Sequence, residues 1–183
     1  MTMQGYIYTI FSEMVIEKLG MSAWNELLDK VKPNSEGIYT NSMQYEDSEI
    51  MSFVAELSTL TQIDPPTLVR TFGEYLFIHL LNRSPANLSH IDNLKDFLIC
   101  IEGVIHKEVK RVYPDSYLPS FKFDEKPNGD LIMFYQSKRK LCHLSEGLIS
   151  GAAQHFKQAI VIKHPECMHD GAKKCKLVIS FKD

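Results

Sequence analysis

Long hydrophobic runs and an excess of positive charge are both missing from this sequence. No segment approaches the roughly 18 uncharged apolar residues that a membrane-spanning helix requires. The formal net charge of -3 and the pI near 6.2 give no basic field that would attract a phosphate backbone. These two absences indicate that neither a membrane nor a nucleic acid is a partner of this protein.

A secretory signal is missing as well. The opening residues, MTMQGYIYTIFSEMVIEKLG, lack a basic start and a small-residue cleavage site, and Glu13 and Glu17 interrupt their apolar positions. We therefore expect a cytoplasmic protein. Its four cysteines should be reduced in that compartment, which favours metal binding or redox chemistry over structural disulfides.

No linker rich in proline, glycine or serine divides the chain, and no internal repeat or low-complexity segment is present. The chain has 183 residues, of which 44% are hydrophobic. That length is enough for one substantial core and short for two. We therefore predict a single domain over residues 1–183.

The hydrophobic pattern changes once along this domain. Apolar residues recur at three and four positions from 5 to 62, and two long helices are predicted next, one starting at the prolines of DPPTLVRTF and one over 90–112. After Pro119, alternating segments flank the Asn-Gly of SFKFDEKPNGDLIMFYQS, which predicts a hairpin. A helix in SEGLISGAAQHFKQA and strands in IVIKH and KLVISFKD complete an α+β fold.

Three hydrogen-bonding side chains follow the apolar strand DLIMF. Tyr135, Ser137 and Arg139 fall at alternate positions, and alternate residues of a strand point to the same face. Two hydroxyls and a guanidinium would therefore project together towards one ligand. A solvated strand face could carry the same residue types, and the pattern by itself leaves both interpretations open.

A histidine lies just beside the apolar stripe of the helix predicted over 90–112. His106 is one turn after Gly103, and a glycine costs about 1 kcal/mol in a helix interior, so a broad group lying against the helix would account for it. An imidazole there could ligate the metal of a flat cofactor, with its other nitrogen held by a neighbouring group. A half-buried histidine bonded to a neighbour is the structural alternative.

Three thiols and an imidazole form a second candidate site near the end of the chain. Cys142, His164, Cys167 and Cys175 form a Cys-x21-His-x2-Cys-x7-Cys set, which we expect to come from strand ends and a loop. Such a set can hold zinc tetrahedrally with no open position, which is typical of a structural site. The spacing is looser than that of paired CxxC motifs.

The remaining histidines and cysteine near these motifs receive less specific interpretations. We read His143, His155 and His169 as surface residues, and Cys100 as a small buried hydrophobe. Cys142 beside His143 could suggest nucleophilic catalysis. Adjacent strand residues face opposite ways, however, and no oxyanion-hole signature accompanies the pair, so we predict that the protein is not an enzyme.

Taken together, GVIHKEV, the following LPSF and YQSKR resemble the H-NOX (haem nitric oxide/oxygen binding) family. The resemblance runs from MQGYIYTIFSEMV to KLVISF, with the pieces in the family's order and spacing. It implies an H-NOX fold, in which an N-terminal helical subdomain precedes a C-terminal antiparallel sheet with a packed helix, and haem b lies between them. Residues 1–62 would form the distal helical part, and residues 63–183 the proximal helix and sheet part.

The resemblance also implies roles for the motif residues. His106 matches the proximal ligand of the haem iron, and Tyr135, Ser137 and Arg139 match the residues that grip the haem propionates. Hydroxyl donors and a forked guanidinium suit paired carboxylates, and hydrogen bonds to charged acceptors are the stronger kind. A subset of bacterial H-NOX proteins is similar in having zinc ligands at the positions of the thiol set.

Further positions match residues that contact the haem in the family. Pro119 matches a proline that packs against the haem and helps bend it, and Ile7 matches a residue that presses on another part of the ring; simple core packing is the alternative for both. Leu144 matches a distal tyrosine that donates to bound O2 in members that hold this gas. The neighbouring distal residues, Phe11 and Leu76, also lack donors.

The resemblance therefore implies a sensor that binds nitric oxide, and also carbon monoxide, at ferrous haem without stabilising O2. Tyr6, Tyr8 or Tyr75 turned inward would weaken this interpretation. Nitric oxide would release His106 from the iron and so change the surface of the protein. No kinase or cyclase segment is present in the sequence, so we expect a partner histidine kinase or cyclic-di-GMP enzyme to carry the output.

An alternative function uses the thiol set rather than the gas site. Oxidation of zinc-bound thiolates would release the metal and change partner binding, which would make the protein a redox-sensing interaction module. In that case the haem would be structural or would itself report the redox state.

Overall fold

The computed structural model describes residues 1–182 of the chain. The helices are α1 (Gly5–Leu19), α2 (Met21–Val31), α3 (Asp47–Thr61), α4 (Pro65–Arg83), α5 (Leu94–Cys100), α6 (His106–Val112) and α7 (Cys142–His155). The strands are β1 (Thr2–Gln4), β2 (Gln44–Glu46), β3 (Ser120–Glu125), β4 (Leu131–Gln136), β5 (Ile160–Glu166) and β6 (Cys175–Phe181). Helices dominate the first part of the chain and a sheet the second, which confirms the predicted α+β class.

The larger sheet is antiparallel throughout, with the strand order β3-β4-β6-β5. The predicted hairpin joins β3 to β4, and Gly129 supplies the left-handed conformation of its turn, with φ +86°. In the observed register, Tyr135 lies opposite Phe121 on one side and Cys175 on the other. The sheet therefore brings the tyrosine of the YQSKR motif next to the thiol set.

A second, two-stranded sheet was not expected from the helical pattern over 5–62. β1 pairs antiparallel with β2, and Asp47 N donates to Met1 O at 2.8 Å just beyond the pairing. Each of these strands has three residues, which is too few to show a period of two. The pairing fixes the start of the chain against the start of α3.

Two hydrophobic cores lie side by side and share α4. The helical core is formed mainly by α1, α2 and α3, and the sheet core by α5, α7 and the larger sheet. On α4, Leu76 is buried in the helical core and Phe77 in the sheet core. Consecutive residues of a helix point about 100° apart, so a single helix can contribute to both.

Helices α4 and α7 touch backbone to backbone. A Cβ added at Gly147 would overlap the carbonyl oxygen of Arg70, and one added at Gly73 would overlap the carbonyl oxygen of Leu144. Both glycines are buried. Only residues without a side chain allow this approach, which sets how closely the two cores pack.

The helix predicted over 90–112 is divided into three parts. It begins at Leu94, where the Asn93 side chain accepts a hydrogen bond from Asp96 N at 2.9 Å, and it widens into a π-helical segment over Ile101–Ile105 before α6. π-helical turns are rare, and they occur frequently at functional sites. Among residues 1–182, no helix combines the length and the apolar character needed to cross a membrane.

Replacing Gly147 by alanine should lower the free energy of unfolding by about 1–3 kcal/mol, because the added methyl group forces the backbones of α4 and α7 apart. Urea unfolding followed by circular dichroism measures this. Gly103→Ala is the matched control, since Gly103 is helical and exposed and a Cβ there meets no atom within 4 Å. The control should be neutral or stabilising by up to about 1 kcal/mol. Equal effects of the two substitutions would contradict the packing argument.

Candidate functional site

A cavity of about 370 Å³ lies between the two cores. Its volume falls within the range of small-molecule and cofactor sites. The wall on the side of the helical core includes Ile7, Leu76 and Leu144, and the wall on the side of the sheet core includes Ile105 and Phe121. The lining is mainly apolar, so an occupant would have to be a largely apolar group.

His106 lines this cavity at the first residue of α6. Its Nδ1 donates to Glu102 Oε2 at 3.2 Å, and the same carboxylate oxygen accepts from Phe121 N at 3.0 Å. Glu102 therefore ties the π-helical segment to β3 and fixes the imidazole. With Nδ1 engaged, Nε2 is the nitrogen available to a ligand.

Burial lowers the pKa of His106, and the negative charge of Glu102 offsets this only in part. The imidazole is accordingly neutral near pH 7. A neutral imidazole with one nitrogen held by a carboxylate is the form in which histidine ligates metals. Sequence reasoning missed Glu102, although its spacing of four residues from His106 places the two side chains on one helix face.

Gly103 does not explain the position of His106, contrary to the sequence interpretation. The glycine is exposed on the π-helical segment, and a Cβ built on it would meet no atom within 4 Å. No group lies against the helix at this residue. The cavity is reached from another face, the one that carries Ile101 and Ile105.

Tyr135, Ser137 and Arg139 all line the cavity, but only Tyr135 belongs to a strand. β4 ends at Gln136, so the other two lie in the loop before α7. Tyr135 Oη accepts from Leu141 N at 2.8 Å and Ser137 Oγ accepts from Arg139 N at 3.2 Å. Burial raises the pKa of Tyr135 to about 12, which keeps its hydroxyl protonated.

The guanidinium of Arg139 also connects separate parts of the fold. Nε donates to Asp47 Oδ2 at 2.7 Å, Nη1 donates to Tyr117 O at 2.7 Å, and Nη2 donates to Thr2 O. The side chain is 10% exposed. Arg139 therefore joins β1, the first residue of α3 and the segment before β3, a role that the alternating pattern did not indicate.

The hydroxyls of the three nearby tyrosines are all hydrogen-bonded to oxygen acceptors. Tyr6, which lines the cavity, donates its hydroxyl to His79 O at 3.1 Å. Tyr8 donates to Glu46 O at 2.7 Å, and Tyr75 donates to Glu17 Oε2 at 2.8 Å. In this structure, all three hydroxyls donate to residues that do not line the cavity.

Four of the five other residues expected to contact the haem line the cavity, and one does not. Ile7, Leu76 and Leu144 line the cavity, as does Pro119. Phe11, expected beside them, instead lies in the helical core, where its ring packs edge-on against Phe72 with centroids 5.2 Å apart. Phe11 is one turn of α1 beyond Ile7 and points deeper into the helical core.

The thiol set is brought together as the sequence spacing suggested. One ligand atom from each of Cys142, His164, Cys167 and Cys175 lies within 4.8 Å of the others, and Cys142 Sγ is 3.7 Å from Cys167 Sγ. Zinc–sulfur bonds of about 2.3 Å in a tetrahedron separate two sulfurs by about 3.8 Å. His164 Nε2 is buried and has no hydrogen-bond partner, as expected of a ligand nitrogen.

Glu146 supports this set from α7. Its carboxylate accepts from His164 Nδ1, from Arg70 Nε and, at 3.4 Å, from His143 Nδ1. Burial opposes ionisation of Glu146, but these hydrogen bonds and the charge of Arg70 outweigh it and lower the pKa to about 2. Sequence reasoning missed Glu146, because two of its three partners, Arg70 and His164, come from other elements.

Two sequence interpretations near the thiol set require correction. Cys142 is the first residue of α7 rather than a strand residue, so helical geometry relates it to His143 and Leu144. His143 is half-buried and hydrogen-bonded, not a surface residue, because α7 starts three residues earlier than the sequence pattern indicated. His155 and His169 are exposed, as expected.

The sequence matches the haem-NO-binding (HNOB) family over residues 4–164. The chain belongs to this family. H-NOX domains, as its members are called, bind haem and act as sensor modules. An H-NOX protein from S. oneidensis in the Fe(II)NO ligation state is 36% identical, with 99% of this chain and 100% of that chain covered and a TM-score of 0.92. The expected H-NOX fold is thereby confirmed.

Two further relatives have lower sequence identity to this chain. The Fe(II) unliganded H-NOX protein from K. algicida is 31% identical, with 99% of this chain and 97% of that chain covered and a TM-score of 0.87. Soluble guanylate cyclase gcy-34 from Caenorhabditis elegans is 24% identical over 164 residues, or 83% of this chain and 23% of that protein. The chain thus spans about a quarter of the length of the curated relatives it matches.

The residues of the cavity fit a haem. The apolar walls suit a macrocycle, and the hydroxyls of Tyr135 and Ser137 suit its carboxylates. The neutral imidazole of His106, held at Nδ1 by Glu102, suits its iron. His106, Tyr135 and Ser137 line the same cavity, and Glu102 is hydrogen-bonded to His106.

Removing the Glu102 carboxylate should weaken haem retention by on the order of tenfold, because the groups that orient a metal-ligating histidine tune its affinity. Transfer of haem from the Glu102→Ala variant to apomyoglobin measures the dissociation rate. Glu108→Ala is the matched control, because Glu108 lies on α6 and pairs only with Arg111. Identical transfer rates for the two variants and the wild type would show that Glu102 does not position His106.

Proposed function

We propose that this chain is a haem-based nitric oxide sensor that regulates a partner signalling protein. The observation that carries the proposal is that one cavity has a ligating histidine on one side and an apolar wall on the other. On one side, His106 is held neutral and oriented by Glu102. On the other, Leu76 and Leu144 present only hydrocarbon.

The proximal wall provides the binding residues. His106 would supply the axial nitrogen, and Tyr135, Ser137 and Arg139 would hold the carboxylates of haem b. When bound, a haem would supply ferrous iron able to bind a diatomic gas. Pro119 and Ile7 line the same cavity and would set the shape of the bound ring through contact.

The distal wall determines which gases are held. Bound dioxygen carries partial negative charge and is stabilised by a hydrogen-bond donor, whereas nitric oxide and carbon monoxide bind ferrous haem without one. Leu144 provides no donor, and the hydroxyls of Tyr6, Tyr8 and Tyr75 are committed to oxygen acceptors elsewhere. This pocket would therefore hold nitric oxide and carbon monoxide and reject dioxygen.

The position of His106 suits it to convert gas binding into a movement. His106 begins α6 directly after the π-helical segment, and Glu102 within that segment is bonded to β3. Release of His106 would free this segment to change its hydrogen bonding. A ligand shifts such an equilibrium only through its differential affinity for the two states, and the lost axial bond would supply that difference for nitric oxide.

The output would pass to another protein. Soluble guanylate cyclase gcy-34 is matched over 23% of its length, so the proposal for this chain is the sensing step alone. A histidine kinase or a cyclic-di-GMP enzyme is the class of partner we propose. No catalytic role is proposed for the chain itself.

A structural zinc is the second part of the proposal. The mutual spacing of Cys142, His164, Cys167 and Cys175 and the unpartnered Nε2 of His164 support it. The ion would link Cys142 of α7 to His164 of β5 and to Cys175 of β6. Its four protein ligands would leave no open position, as in structural sites.

Redox sensing by the same thiols is the alternative. The 3.7 Å separation of Cys142 Sγ and Cys167 Sγ favours it, because oxidation could join them. Burial opposes it, since it raises the pKa of Cys142 and of Cys175 and keeps the metal-free thiols protonated and unreactive. We therefore place gas sensing first.

The distal wall is tested by adding one hydroxyl. The wild-type ferrous protein should bind nitric oxide and carbon monoxide and form no stable O2 complex, whereas Leu144→Tyr should form one. Leu144→Phe is the matched control and should behave as the wild type, because it adds the ring without the donor. Absorption spectra under each gas decide the outcome. A long-lived O2 complex in the wild type would overturn the interpretation of Leu144.

Metal analysis should find about one zinc per chain, and Cys175→Ser should lower this content and destabilise the sheet, because a cross-link between elements is lost. Cys100→Ser is the control, since Cys100 lies on α5 and takes no part in the thiol set. Zinc content that does not respond to any of the four ligand substitutions would defeat the zinc proposal.

A further inference from the structure

Two histidines extend the thiol set towards the surface. The rings of His143 and His169 are nearly parallel, with centroids 5.6 Å apart and an interplanar angle of 12°. One ligand atom from each of these histidines lies within 4.8 Å of the other and of Cys142 Sγ. Cys142 therefore belongs to two overlapping groups of metal-ligating side chains.

Both imidazoles are oriented by oxygen acceptors. His143 Nδ1 donates to Glu146 Oε2 at 3.4 Å, and His169 Nε2 donates to Lys140 O at 2.7 Å. The second nitrogen of each ring is then unprotonated in the neutral form and able to bind a cation. A ring nitrogen held by an oxygen acceptor is the usual arrangement of a metal-ligating histidine.

Exposure decreases in steps from His169 to the thiols. His169 is exposed, the side chain of His143 is 21% exposed, and Cys142 is fully buried. The thiols of Cys167 and Cys175 are also buried. On this side of the thiol set, a hydrated cation arriving from solvent would meet the two imidazoles before it met Cys142.

A third group of ligating side chains links the same elements. His143, Glu146 and His164 also bring one ligand atom each to within 4.8 Å of one another. His143 thus shares one group with Cys142 and another with His164. A cation could exchange its ligands one at a time between these groups, so that it never loses all its protein bonds at once.

We propose that Cys142, His143 and His169 form an outer site for a divalent cation, through which zinc enters and leaves the buried thiol site. The proposal rests on the zinc site of the proposed function. Zinc would bind the two imidazoles and Cys142 first, and the thiol proton of Cys142 would pass to solvent. The bonds to His169 and His143 then break as bonds to Cys167, Cys175 and His164 form, and the remaining thiol protons are released.

The outer site is tested by the rate of zinc exchange. His143→Gln, His169→Gln and the double variant keep a side chain that can hydrogen-bond but remove the imidazole ligand. Zinc-loaded protein is mixed with excess 4-(2-pyridylazo)resorcinol and the release followed by absorbance. Metal-free protein is mixed with zinc to measure uptake. His155→Gln is the control, because His155 is exposed at the end of α7 and belongs to none of the three groups.

Both rates should fall by on the order of tenfold in the double variant, since the loss of intermediate ligand bonds raises the barrier to exchange. Zinc content at equilibrium and the urea unfolding midpoint should match those of the wild type and the control. Unchanged exchange rates would overturn the outer site. Loss of equilibrium zinc in the double variant would also overturn it, because the histidines would then be permanent ligands.

The proposed zinc site can fail separately from the outer site. A wild-type protein that takes up no zinc at all would remove the buried site, and the outer site with it. A wild-type protein that holds about one zinc while every variant exchanges it at the same rate would leave the buried site standing and remove only the outer one.

Discussion

The close contact between α4 and α7 is the constraint on which the rest of this structure depends. At Gly73 and Gly147 the two helix backbones meet with no side chain between them, and this contact holds the helical core against the sheet core. Leu76 from α4 and Leu144 from α7 form part of the same cavity wall. Arg70, also on α4, holds Glu146 of α7. One helix pair therefore shapes this cavity wall and supports the thiol set.

The two candidate sites are also joined through β4 and the loop that follows it. Tyr135 lies opposite Cys175 in the sheet, and its hydroxyl accepts from Leu141 N, immediately before Cys142. The loop between these residues carries Ser137 and Arg139, the remaining cavity donors of the motif. A metal that fixed the start of α7 would accordingly fix one end of the loop that carries Ser137 and Arg139. A zinc in the thiol set would thus affect the geometry of the cavity as well as stability.

Local sequence patterns could be predicted to form particular elements, whereas most contacts between distant elements could not be predicted. The Asn-Gly hairpin and the helix at the prolines of α4 are local patterns, and the structure shows both. The thiol set joins α7, β5, β6 and the segment between the two strands, and it was predicted from its metal-ligating residue types rather than from a local pattern. β1 and β2 are too short to carry a pattern, and their pairing joins residues forty or more positions apart, such as Thr2 and Glu46. Glu102 shows the same limit, since its contact with Phe121 N crosses from a helix to a strand.

Arg139 lines the cavity and is also hydrogen-bonded to the start of the chain. A guanidinium has five N–H donors, and three of its nitrogens here already bond Asp47, Tyr117 and Thr2. About two N–H groups remain for a haem carboxylate, so the arginine can hold the carboxylate and these protein acceptors together. A shift of the carboxylate would therefore act directly on β1 and on the first residue of α3. Through Arg139, a haem carboxylate would be linked to the helical core by charge as well as by packing.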